Sequence, residues 1–198
     1  TAKNTVLTCY IHDKLDKCQV ILYTDASFAG DVRDSKSTTG GYMFLIGPNT
    51  CVPLGHIVKK QGAVSHSSTE AEVIALDTCL RMDGLPALLL WEQVIATITP
   101  DAHNEIITKR KKGQLYEHDN WINATKQKSA IDHFVEHIDY VPTNLPASCG
   151  TARLCILEDN EPVIKMVIKQ RWPQLRYVTR TQKVDLDWLF ERLTTDPG

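Results

Sequence analysis

The sequence predicts an α/β domain, a sheet carrying helices on its faces, and three observations predict it. Gln19-Val20-Ile21-Leu22-Tyr23-Thr24 is a β-branched and apolar run that stops at Asp25, the pattern of a strand buried on both faces. Gly41 to Ile46 and Cys51 to Val58 are two further runs joined by Gly47-Pro48-Asn49, a strong turn signal, so the pair reads as a hairpin. From Ser67 onward the apolar positions Val73, Leu76 and Leu80 recur at helical spacing.

Between the first strand and the hairpin, Ala26 to Ser37 mixes Gly30, Asp31, Asp34 and Ser35, which is loop chemistry. Pro53 makes the third strand an edge or irregular one. Ser67 or Ser68 suits the N-cap of the long helix. Glu70 or Glu72 suits its first turn, where free backbone N–H groups favour a carboxylate. Gly84-Leu85-Pro86 is expected to break that helix, with a second segment running from Ala87 to Ile98. From Thr99 to Ala152 periodicity degrades, and the stretch reads as an insertion, partly ordered at best, with a short helix from Ser129 to Ile138. Regular structure returns with the strand Arg153 to Leu157. A helix with Pro162 in its first turn follows, through about Lys169. A last amphipathic helix runs from about Val184 to Leu193, with Leu186, Leu189 and Phe190 on one face.

The bulk properties narrow the class. At 198 residues, one domain with a long insertion fits better than two domains. Apolar residues at 42% and charged residues at 23% are those of a soluble globular chain, and no apolar run approaches the roughly 20 residues of a membrane span. A net charge of −2 gives no whole-chain argument for nucleic-acid binding, so any such role must rest on a local patch. Six cysteines without a C-x-x-C pair, and a start without signal-peptide layout, point to reduced thiols in an intracellular protein.

Chemistry concentrates at the ends of elements. Asp25 and Asp159 each sit just past a buried strand, where side chains can converge on one site. Glu70 sits at the start of the helix that would pack on that sheet. Converging carboxylates suit hard divalent cations, because Mg²⁺ takes oxygen ligands from one or two carboxylates plus water and phosphate. Two such ions about 4 Å apart can activate a water and stabilise the leaving oxygen of a phosphodiester. Spacing alone says little, since most strand-end acids are solvated caps or turn residues.

The motifs say more. Tyr23-Thr24-Asp25-Ala26-Ser27-Phe28-Ala29-Gly30, Lys36-Ser37-Thr38-Thr39-Gly40-Gly41-Tyr42-Met43-Phe44, Lys59-Lys60-Gln61 and Ser67-Ser68-Thr69-Glu70-Ala71-Glu72-Val73-Ile74-Ala75-Leu76 occur in that order. Glu158-Asp159-Asn160-Glu161-Pro162-Val163-Ile164 and Arg180-Thr181-Gln182-Lys183-Val184-Asp185 follow. Together they resemble the RNase H region of copia-type LTR retrotransposon polyproteins over residues of about 19 to 95 and 153 to 193. The departures are Phe28 for a tryptophan, a lost tryptophan in the Gly55 to Gln61 turn, Lys183 for a histidine, and the long 99–152 insertion.

That resemblance implies an RNase H-like mixed sheet with flanking helices: three antiparallel leading strands and a central strand after the insertion. It implies Asp25, Glu70 and Asp159 as catalytic carboxylates holding two Mg²⁺ or Mn²⁺ ions, with Glu72 the rival for Glu70 but read in the family as structural. It places Lys59, Lys60 and Arg180 toward the backbone of an RNA–DNA hybrid, whose RNA strand would be hydrolysed to 5′-phosphate and 3′-hydroxyl ends. A reverse transcriptase domain of the same polyprotein is the implied partner, in a cytoplasmic particle or the nucleus. The family's fourth aspartate lies in a later L-A-D-I-L-T-K segment, so the expected domain is C-terminally truncated. Asp185 and Asp187 then read as a helix cap and a solvated face.

Lys109-Arg110-Lys111-Lys112 reads as a solvated loop charge run more readily than as a phosphate or nuclear-address motif. His133 and His137 share a helix face but have no third ligand at a defined spacing. Two rival readings stand beside the nuclease: an inactive remnant that binds hybrids or acts as a scaffold, and an unrelated α/β binding domain whose acids are caps.

Overall fold

Four strands make one sheet. β1 (Gln19–Ser27), β2 (Thr38–Gly47), β3 (Thr50–Lys60) and β4 (Leu154–Leu157) lie in the order β3-β2-β1-β4. The pairs β1–β2 and β2–β3 are antiparallel, and β4 joins β1 in parallel, so the sheet is mixed. The computed structural model describes residues 8–30, 33–101, 103–104, 107–108, 146–172, 175 and 177–198.

The strands run further than the sequence pattern alone suggests. Asp25, Ala26 and Ser27 stay paired with Gly40, Thr39 and Thr38, so Asp25 lies inside β1 rather than just past it. Pro53 falls at a bulge: Met43 faces Gly55 while Phe44 faces Pro53, and β3 is an edge strand, where a missing N–H is tolerated. The expectation of a central strand after the insertion is corrected. Among the described residues β4 is at the sheet margin, because β1 gives its other edge to β2.

α1 (Ser68–Cys79) is capped by Ser67, whose Oγ accepts the Glu70 N–H at 3.1 Å. The expected break at Gly84-Leu85-Pro86 does not occur. The chain passes through a π-helical turn, Leu80–Gly84, directly into α2 (Leu85–Ile98). A proline lacks the N–H that an ordinary turn requires, and the wider turn accommodates it. Gly84 also lies close against the sheet. A Cβ there would lie 3.0 Å from Leu22 Cδ2 and 3.2 Å from Leu154 Cδ2.

The C-terminal part adds α3 (Glu161–Lys169), a single turn α4 (Val178–Thr181) that periodicity does not reveal, and α5 (Leu186–Thr195). Asn160 caps α3 by accepting the Val163 N–H, and Pro162 stands in the first turn as expected. Asp185 caps α5 by accepting the Trp188 N–H at 3.0 Å, which agrees with its reading as a cap. Leu186, Leu189 and Phe190 are all buried, in one cluster with Leu80, Leu88, Val163 and Trp172. A second cluster, Val20, Leu22, Met43, Leu45 and Cys79, lies between the sheet and α1. Arg81 ties the helices together: its guanidinium lies 3.8 Å from the Trp188 ring centre, and its Nε donates to Asp77 at 2.8 Å.

Of the 99–152 insertion, residues 109–145 lie outside the described residues, and with them Lys109 to Lys112, His133 and His137. Its far end, residues 146–152, is packed. Buried Glu92 on α2 accepts the Ser148 hydroxyl at 2.6 Å and the N–H groups of Gly150 (2.6 Å), Cys149 (3.1 Å) and Thr151 (3.2 Å). That carboxylate holds the approach to β4. Among the described residues, no helix is long and apolar enough to cross a membrane.

Removing such an acceptor strands several donors in a buried place. Glu92→Ala is expected to lower unfolding free energy by about 3 kcal/mol or more, read from urea denaturation.

Candidate metal centre

Parallel pairing builds the site. The β1–β4 ladder runs from Val20–Leu154 to Tyr23–Leu157, and carrying that register two residues further sets Asp25 level with Asp159. The first turns of α1 supply a third acid. Asp25, Glu72 and Asp159 each offer a carboxylate oxygen, and these oxygens lie within 4.8 Å of one another. Asp25 and Asp159 are exposed, while Glu72 is 7% exposed and forms the floor of the group.

Glu72 is the electrostatically strained member. Its carboxylate accepts the Ala26 backbone N–H, yet Oε2 is buried and, among the described residues, has no hydrogen-bond partner. Burial, reinforced by the charges of Glu158, Asp25 and Asp159, pushes its pKa up to about 7. Burial likewise raises Glu158, with Asp159 and Asp25 adding to it against hydrogen bonds from Thr24 and Asn160. An orphaned buried oxygen, facing two exposed carboxylates of the same sign, is the environment that a hard cation relieves.

Glu70, the glutamate that the sequence resemblance implicates, is elsewhere. It is 0% exposed, and both its oxygens are engaged. Oε2 accepts the His66 backbone N–H at 2.7 Å and the Tyr177 hydroxyl at 3.1 Å, and Oε1 accepts Gln182 Nε2 at 3.4 Å. Residues two apart on an α-helix project about 200° apart, so Glu70 and Glu72 cannot serve one site. The structure brings Glu72, not Glu70, to Asp25 and Asp159, and gives Glu70 the task of fastening α1 to the α4 region. A helical wheel carries the signal: Glu72 falls on the stripe of Leu76, Cys79 and Leu80.

Lys60 pairs across β2 with Thr38, which in turn faces Ser27, so the Lys59-Lys60 end of β3 lies at the sheet end that bears Asp25. Two strand spacings put it about 10 Å from β1. Lys59 is exposed, and Lys60 Nζ lies 2.8 Å from Asp34. Arg180 falls in α4, with its side chain outside the described residues. Asp185 and Asp187 stand at the start of α5 and are not part of the acidic trio. Comparison with known protein families, with curated proteins and with solved structures returned no match.

The titration of Glu72 has a measurable sign. Its folded pKa of about 7 exceeds the ordinary 4.5, so the native state binds that proton more tightly than the unfolded state. Metal-free protein should therefore lose stability as pH rises from about 4.5 through about 7, by on the order of 1–3 kcal/mol. Urea denaturation at about pH 5 and about pH 8 reads the loss, and Glu72→Gln should shrink it.

Proposed function

We propose that this chain is the RNase H-type nuclease region of a copia-type retroelement, with an RNase H-like fold, hydrolysing the RNA strand of RNA–DNA hybrids. The observation that carries the reading is the meeting of Asp25, Glu72 and Asp159, from three segments far apart in the chain, around an unpartnered buried oxygen. The ordered motif series and the mixed sheet with flanking helices support it.

The donor set is all oxygen and anionic, which fits Mg²⁺ or Mn²⁺ and does not fit softer metals. Asp25, Glu72 and Asp159 would hold two such ions, which when bound supply Lewis acidity for a water nucleophile and for the departing oxygen. Asp25 and Asp159, being exposed, are the carboxylates a phosphodiester can approach. Glu72, walled in by the helix, sets the depth of the site. Lys59 and Lys60 stand at the same end of the sheet, where cations can meet backbone phosphates. A-form duplexes are recognised by shape and 2′-hydroxyl contacts, so little dependence on base sequence is expected. The setting would be removal of the RNA template beside a reverse transcriptase domain of the same polyprotein.

A labelled RNA–DNA hybrid incubated with millimolar Mg²⁺ or Mn²⁺ tests this. Cleavage should yield 5′-phosphate ends. It should fall by two orders of magnitude or more, roughly 3 kcal/mol, in Asp25→Asn, Glu72→Gln and Asp159→Asn. Glu70→Gln should lower the melting temperature while leaving folded protein able to cleave. Hybrid binding without cleavage by the wild-type chain would replace the enzyme with a binding remnant.

A further inference from the structure

The β1–β4 ladder ends at Tyr23–Leu157, but the two strands stay joined for one more rung by side chains. Thr24, 5% exposed, donates its hydroxyl to Glu158 Oε2 at 2.8 Å. The other oxygen, Oε1, accepts the Asn160 N–H at 3.1 Å, and Asn160 Oδ1 accepts the Val163 N–H that opens α3. Residues 158–160 have no regular secondary structure. This relay, from β1 through Glu158 to the cap of α3, therefore encloses Asp159 on both sides.

One residue further along each segment is an acid of the trio, Asp25 within β1 and Asp159 in the loop after β4. Like charges at that spacing repel, and a loop lacking regular structure can relieve the repulsion by swinging Asp159 away. A hydrogen bond to a carboxylate is stronger than one between neutral groups, which suits it to resist that motion. We propose that Thr24 and Glu158 are positioning residues that set the separation of Asp25 and Asp159 for divalent cations. The inference rests on the metal-centre reading and extends it to two side chains outside the trio.

Mn²⁺ binding to the full chain, followed by calorimetry and by the loss of the free-ion EPR signal, tests it. Thr24→Val and Glu158→Ala should each weaken binding about tenfold, the scale typical of partners that orient metal ligands. The double variant should bind no more weakly than the worse single one, since Glu158→Ala already removes the Thr24 hydrogen bond together with that from Asn160. Thr24→Ser, which keeps the hydroxyl, should stay within about twofold of wild type. Wild-type affinity in folded Thr24→Val, or additive losses in the double variant, would overturn the proposal. So would lost binding in Glu158→Ala with Thr24→Val intact, which would make Glu158 a ligand. Thermal unfolding establishes that each variant is folded. Should Thr24→Val not fold, Glu158→Ala and Thr24→Ser decide, and wild-type affinity in Glu158→Ala overturns the idea. A wild-type chain that binds no Mn²⁺ removes the metal centre itself, an outcome distinct from failure of the relay alone.

Discussion

The parallel pairing of β1 with β4 is the constraint on which the rest depends. It joins segments 134 residues apart in sequence at Thr24 and Glu158, and no local turn can enforce such a contact. Closing so long a loop costs conformational entropy that grows slowly with length, so the cost is set by closing it at all. Three independent ties hold β4 in place. Its first residue donates to the Gly198 carbonyl, its approach is gripped by Glu92, and its side chains Leu154 and Ile156 pack against both apolar clusters. Only because these ties hold β4 in register do Asp25 and Asp159 come level.

The two glutamates of α1 show how burial alone fails to define a role. Both are nearly inaccessible, yet Glu70 has donors on both oxygens, whereas Glu72 has the Ala26 N–H and otherwise faces carboxylates of its own sign. A buried carboxylate with its hydrogen bonds made is a structural cross-link. One whose oxygen is orphaned beside other carboxylates costs the fold free energy unless a proton or a cation compensates it. The first belongs to architecture, and the second is the group that a proton or a cation would relieve.

Much of this was legible in the residues. The buried run at Gln19 to Thr24, the hairpin around Gly47-Pro48-Asn49 and the serine-capped helix all stand as read, within a few residues. Asp25 and Asp159 were visible because strand-end acids interrupt apolar runs. The choice between Glu70 and Glu72 was not visible from motif order, since it depends on which side of α1 meets the end of β1. The helix break assigned to Gly84-Leu85-Pro86 was misread because breaker residues report local cost, whereas packing of Gly84 against Leu22 and Leu154 is a tertiary gain. The turn at Val178–Thr181 is too short to carry a periodic signal. The grip of Glu92 on residues 148–151 joins two segments that nothing in the pattern connects.

The wide turn at Leu80–Gly84 also sets the phase of everything after it. A π-helical turn holds one more residue than an α-turn, so it sets the following helix back by about 100° relative to uninterrupted α winding. Ordinary α winding of the same five residues would rotate Leu88, Glu92 and Ile95 off their buried side together. Glu92 would then part from the loop that leads into β4. In this chain the winding of one helical turn, remote from any acid of the trio, is thereby coupled to whether β4 meets β1.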